Sequence, residues 1–308
     1  RPGCGRQGKP LGKLATLLRK NRKFSFFSLL ALLVVLGAVF APLIAPYSPY
    51  DAVLTDALQP PSGAHWFGTD ALGRDVFSRI LFGTRTSLSS TLLLVAVVFC
   101  LGTALGILCG YYGGLLDAVV MRTADTMMAF PDLILAMAIV GILGPNMSNA
   151  ILAIALVSWT KYARLARSLT LKIRRNDYID AARVTGSKSR RILLRYLLPN
   201  ALPTMVITAA TDIGTTMLAL SSLSFLGFGV QPPTPEWAYM LNEGRQYFQS
   251  CPWLLYFPGL AIFLVVVIFN LLGDSLRDVL DPKGEEKVKD LREDAINELK
   301  RKNGNQRI

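Results

Sequence analysis

Five stretches of this chain are almost free of charge, and each is long enough to cross a lipid bilayer once or twice. Residues 24–50, 86–116 and 246–273 carry no charged side chain, while 126–160 carry only Asp132 and 196–235 only Asp212. A bilayer-spanning helix needs about 20 predominantly apolar residues, so the first, second and last of these runs supply one span each. The turn-rich sequence Gly141-Ile-Leu-Gly-Pro145-Asn-Met-Ser-Asn149 divides 126–160 into short spans near 127–143 and 148–163. In the remaining run a span over about 203–228 is stopped by Gln231-Pro-Pro-Thr-Pro235. The expectation is an all-α membrane protein with six transmembrane helices.

The formal net charge is +12, which raises the question of nucleic acid. The placement of the charges answers it differently. Six spans with both ends on one side put 1–23, 111–126, 161–202 and 274–308 together, and these segments hold 29 of the 33 Lys and Arg. The opposite side keeps only Arg74, Arg79, Arg85 and Arg245. Positive loops are retained in the cytoplasm, so both termini are expected there and nucleic acid is not an expected partner. The chain then divides into a basic cytoplasmic segment 1–23, a first transmembrane helix 24–46, an outer segment 47–85, a core 86–273 and a cytoplasmic tail 274–308. The apolar run after the basic segment is too long for a cleaved signal peptide, and it ends among Pro42, Pro46 and Pro49 as a retained helix would.

Between the fourth and fifth spans lies a basic, amphipathic segment, residues 178–199. Ile192, Leu193, Tyr196 and Leu197 recur at helical spacing, whereas Lys188, Arg190, Arg191 and Arg195 fall mostly on other faces. Ala181 and Ala182 keep one helix face thin, and Gly186 permits a turn with φ > 0 between two short helices. Such a segment suits docking into a groove on a partner, or resting on anionic headgroups of membrane lipid.

The spacing of Asp180, Ala181, Ala182, Gly186, Leu198 and Pro199 resembles the EAA loop of ABC importer permeases. Asp180 stands where that family usually has Glu, and Tyr196 where it usually has an aliphatic residue. Other stretches resemble the C-type permease of dipeptide, oligopeptide and nickel importers: Phe67-Gly-Thr-Asp70 with Gly73-Arg74-Asp75, Ala129-Phe-Pro131, Leu223-Ser-Phe-Leu-Gly-Phe-Gly229, Gln231 to Trp237, Phe257-Pro-Gly259, and Asn270 to Asp274 through Asp281-Pro282. The resemblance covers about 50–283. It implies a type I ABC importer permease fold with 178–199 as the cytoplasmic coupling loop. It also implies a second, B-type permease, two cytoplasmic ATPase subunits that bind ATP and Mg, and an extracellular substrate-binding protein, all in a bacterial cell membrane. The cargo implied is di- or oligopeptides, with nickel or a metal chelate as the alternative because Trp159-Thr-Lys-Tyr162-Ala-Arg164 and Thr211-Asp-Ile-Gly214 resemble the nickel branch.

The chemistry of an enzyme is not visible. No GxxxxGK[ST] occurs, so ATP and other cofactors are not expected on this chain. His65 is the only histidine, lies beside Trp66 in the outer segment and has no GxSxG near it, which makes local hydrogen bonding the expected role. Cys4, Cys100, Cys109 and Cys251 lack the spacing of a metal site or a disulfide framework. Arg74 and Asp75, close to a Gly, are expected to pin the outer segment.

Charges within spans are costly and mark candidate sites. Asp132 follows Pro131 and is expected to cap a helix. Asp212 sits among Thr208, Thr211, Thr215 and Thr216, a polar stripe continued by Ser221, Ser222 and Ser224. The stripe serves either hydrogen bonds between helices or a pathway, and Asp212 either lines the path for a cationic group or pairs with a neighbouring subunit. Asp212, Thr208 and Thr215 are the candidate path residues. Gly102, Gly106 and Gly110 form a small-residue face for close helix packing. A secondary transporter driven by an ion gradient is the alternative of another class, but no inverted repeat is visible.

Overall fold

The computed structural model describes residues 22–280, most of them helical. Cys4, the basic segment up to residue 21 and the tail from Asp281 onward lie outside the described residues. The principal helices are α1 (Arg22–Val39), α2 (Val76–Tyr112), α3 (Gly114–Met128), α4 (Asp132–Leu143), α5 (Met147–Arg174), α6 (Asp177–Val184), α7 (Ser189–Phe225), α8 (Trp237–Gly244) and α9 (Trp253–Leu280).

Among the described residues, α1, α2, α7 and α9 are long and apolar enough to cross a membrane. The pair α3 and α4 counts as a fifth crossing if taken as one span, bent by 95°. Pro131 accounts for the bend, since it has no N–H to continue the ladder and pushes the residue before it out of the helical region. Helix α5 falls outside this set because Lys161, Arg164 and Arg167 occupy its second half. By length and composition the six expected spans therefore number four or five here.

With 37 residues and 1.5 Å of rise per residue, α2 is about 55 Å long, well beyond a hydrocarbon core of roughly 30 Å. Its first turns, with Arg79 and Arg85, thus belong to the stretch 47–85 expected outside. Asp75 caps it, its side chain accepting from the Ser78 backbone N–H at 2.8 Å.

Two apolar clusters hold the bundle. One joins α2, α4, α5, α6 and the start of α7 through Leu94, Val140, Ala153, Ile179 and Leu197; the other joins α1, α2, α7, α8 and α9 through Ala31, Ile80, Met217, Trp237, Ile262 and Phe269. Helix α2 runs along α5 on the small-residue face. A Cβ on Gly106 would lie 2.3 Å from the Ala163 carbonyl oxygen and 2.7 Å from the Ala166 Cβ, so this face is in van der Waals contact with backbone.

Candidate functional site

Residues 178–199 form one amphipathic unit. Helix α6 ends in a Schellman turn: Gly186 has φ 76°, its N–H bonds to the Arg183 carbonyl at 2.9 Å, and the Ser187 N–H reaches the Ala182 carbonyl at 3.0 Å. Ile179, Ala182, Ile192 and Leu197 are buried, while Lys188, Arg190, Arg191 and Arg195 are exposed. Asp180 is exposed and pairs with Arg183 at 3.1 Å; Ala181 is exposed beside it. Val184 stands 89% exposed.

The second half of the segment differs from expectation. Instead of a second short helix, residues 189–192 and a π-helical stretch, Leu193–Leu197, form the first turns of α7. The wider turn relieves the clash that Pro199 would make with the carbonyl four residues earlier in a regular helix. Leu198 is half-buried and Pro199 exposed at this junction. The C-terminal end of α2 holds the unit in place. Arg174 donates to the Tyr111 carbonyl at 2.8 Å, the Tyr111 hydroxyl bonds Ser189 Oγ at 3.2 Å, and the guanidinium groups of Arg174 and Arg183 each stand 5.9 Å from the Tyr111 ring centre.

Helices α5 and α7, which this unit connects, also line a cavity of about 350 Å³ with α2 and α4. In it Lys161 Nζ donates to Asp212 Oδ1 at 2.7 Å and Oδ2 at 2.8 Å. Asp212 is thus paired within its own chain. Ser158, Thr215, Thr216 and Asp132 add polar surface, and Leu94, Val98 and Ile154 supply apolar wall. Thr215 is brought to the cavity, its hydroxyl bonded to the Asp212 carbonyl at 3.0 Å; Thr208 is not among the lining residues and bonds the Thr204 carbonyl at 2.9 Å. Asp132 opens α4 without making a side-chain cap bond; it faces the cavity instead.

Lys161 was hidden in the sequence because it opened the segment assigned to the cytoplasm. Ser158, Lys161 and Arg164 recur every three residues, a polar stripe that continues α5 rather than ending it. Arg167 pairs with Asp117 at 2.6 Å, and Arg164 with Asp125, tying α5 to α3.

A second polar cluster clamps the segment before α2 onto α8. Arg74 Nε meets Asp70 at 2.6 Å and its Nη2 meets Glu243 at 3.1 Å; Arg79 bonds the same two acids, Glu243 at 2.8 Å. His65 Nδ1 lies 3.0 Å from Asp75, so both it and Arg74 and Asp75 pin this segment. Glu236 caps α8, accepting from the backbone N–H groups of Ala238 at 3.0 Å and Tyr239 at 2.8 Å and from Ser87 Oγ at 3.0 Å. Burial, then the charge of Glu243, pushes the Tyr239 phenol above its ordinary range.

Residues 102–285 match the family described as binding-protein-dependent transport system inner membrane component, and residues 13–61 match the N-terminal TM domain of oligopeptide transport permease C. The chain is 44% identical over 266 residues to the dipeptide transport system permease protein DppC of Alkalihalophilus pseudofirmus, covering 86% of this chain and 88% of that one. It is 46% identical over 256 residues to the glutathione transport system permease protein GsiD of Pectobacterium atrosepticum, covering 83% and 85%. Among solved structures, inward-facing MetNI methionine ABC transporter aligns with a TM-score of 0.52 at 20% identity, over 66% of this chain and 97% of that one.

Proposed function

Because the chain belongs to the family of binding-protein-dependent transport system inner membrane components, and within it to the C-type permeases of ABC dipeptide and oligopeptide importers, we propose that it carries di- or oligopeptides inward across a bacterial cell membrane. It is a membrane transport subunit, and ATP is hydrolysed by separate subunits. Peptides are preferred to nickel because the similar proteins carry dipeptide and glutathione names, and glutathione is itself a peptide.

One observation supports the mechanism above the others. The amphipathic unit 178–199 is the covalent connection between α5 and α7, the two helices that present Lys161 and Asp212 to the cavity. A partner that grips Asp180, Ala181, Ala182, Gly186, Leu198 and Pro199 moves both walls of the cavity at once. On this reading the grip comes from two ATPase subunits holding ATP and Mg. Their closure tilts the helices between inward-facing and outward-facing arrangements, and binding at the unit is linked to access at the cavity. A B-type permease completes the path, and an extracellular binding protein delivers cargo to the clamp formed by 47–85 and α8. Six crossings with both termini cytoplasmic complete the proposal: α5 makes the fourth, its charges shielded by α3, α7 and the cavity rather than facing lipid.

The test is reconstitution of the four kinds of subunit in liposomes with labelled dialanine. Uptake should require ATP inside, the binding protein outside and an intact Walker lysine in the ATPases. Uptake that survives loss of the ATPases and collapses with an uncoupler would refute the reading and favour an ion-driven transporter.

A further inference from the structure

We propose that the Lys161–Asp212 ion pair is an exchange site for the free termini of a passing peptide, an inference that rests on the peptide-import reading. The depth of the pair argues for it. Lys161 is about 21 Å along α5 from Met147, and Asp212 about 20 Å along α7 from Phe225, at 1.5 Å per residue. The proposed topology places both of those helix ends outside, so two independent helices bring the charges to the same level, well inside a hydrocarbon core of roughly 30 Å. Charges at that depth are expensive unless paired, and functional ones line a cavity.

The pair is also built to open. The Asp212 side chain is 13% exposed and held in the wall, whereas that of Lys161 is 61% exposed, a flexible arm reaching across the cavity. Both Asp212 oxygens accept from the one ammonium, so an empty cavity carries no unpaired charge from this pair. Around it, Ser158, Thr216 and Asp132 provide further polar partners, and about 350 Å³ suits a small ligand.

A zwitterionic peptide carries the same two groups. When its α-ammonium takes the place of Lys161 at Asp212 and its α-carboxylate takes the ammonium of Lys161, one ion pair becomes two. No proton moves, no covalent bond changes, and neither charge of the pair is left uncompensated. After the cargo leaves, Lys161 and Asp212 re-pair, which closes the site behind it. A peptide blocked at one end would strand one protein charge, and a site built for a polar group discriminates strongly against its absence.

The experiment uses the complete reconstituted importer and reads labelled dialanine uptake per ATP hydrolysed. The double variant Lys161→Gln with Asp212→Asn, which removes both charges at nearly constant volume, should lower this ratio at least about tenfold. The charge-swapped variant, Lys161→Asp with Asp212→Lys, should recover most of the loss, because a zwitterion can bind in the reverse sense. A double-neutral variant with the wild-type ratio makes the pair a helix clip and overturns the proposal. So does a swapped variant that assembles and fails, and so does loss of assembly in both variants, which would assign the pair to folding. Absence of ATP-dependent peptide uptake in the wild-type complex would instead remove the import reading itself.

Discussion

Gly186 offers a clean test of the coupling unit, because its backbone is constrained while its surroundings are empty. A Cβ built there meets nothing within 4 Å, yet φ is 76°. The two turn-closing bonds, at 2.9 and 3.0 Å, use backbone groups that any residue except Pro retains. The cost of a substitution is therefore conformational alone, about 1–2 kcal/mol for an ordinary L-residue in the left-handed region, and greatest for a β-branched one. That energy corresponds to roughly a 5–30-fold loss in occupancy of the native turn. Asn, which visits this region readily, should cost only a few tenths of a kcal/mol. Uptake per ATP hydrolysed, measured in the reconstituted importer, should thus fall in the order Gly, Asn, Ala, Val. Membrane insertion and thermal stability of the bundle should change little, since α6 and α7 keep their buried residues. Equal coupling in Gly186→Asn and Gly186→Val, or normal coupling in Val, would refute the claim that this turn transmits the stroke.

Gly106→Leu should separate α2 from α5, because its first added carbon would already sit 2.3 Å from a backbone oxygen; overpacking of at least about 1–3 kcal/mol should lower the midpoint of thermal unfolding in detergent, and an unchanged midpoint would contradict the packing described. Arg79→Ala should leave Asp70 with Arg74 alone in a buried site. A loss of about 3 kcal/mol, the low end for breaking a buried ion pair, should appear as early proteolysis between residues 47 and 75, and wild-type protection would count against the clamp.

Much of the candidate site could be read before any fold was known, and the reason is local. The alternation of Ile192, Leu193, Tyr196 and Leu197 with basic residues reports which side of a helix is wet, and the requirement for φ > 0 at Gly186 is a property of one residue. The small-residue face of Gly102, Gly106 and Gly110 was equally plain, although its partner, Ala163 and Ala166 on α5, was not. That Lys161 faces a cavity was not legible for a physical reason: hydropathy averages over a window, and a lysine that faces a cavity looks the same in composition as one that faces the cytoplasm. Asp132 does not cap α4 because Pro131 takes the N-cap position and leaves Asp132 as the first helical residue, a shift of one position that the Pro131-Asp132 pair does not dictate.

The amino-acid order alone determined that this chain lives in a bilayer, because long uncharged runs have no other stable solvent, and it determined which loops are basic and which segment between them is amphipathic. Only the tertiary structure decided that Asp212 answers Lys161, that Arg74 and Arg79 share Asp70 and Glu243, and that the unit 178–199 hangs from Tyr111. Apart from the contacts of Asp70 with Arg74 and Arg79, 4 and 9 positions along the chain, those pairings join residues between 51 and 169 positions apart. Their distances depend on how whole helices cross, and helix crossing is set by the packing of many side chains together rather than by any motif.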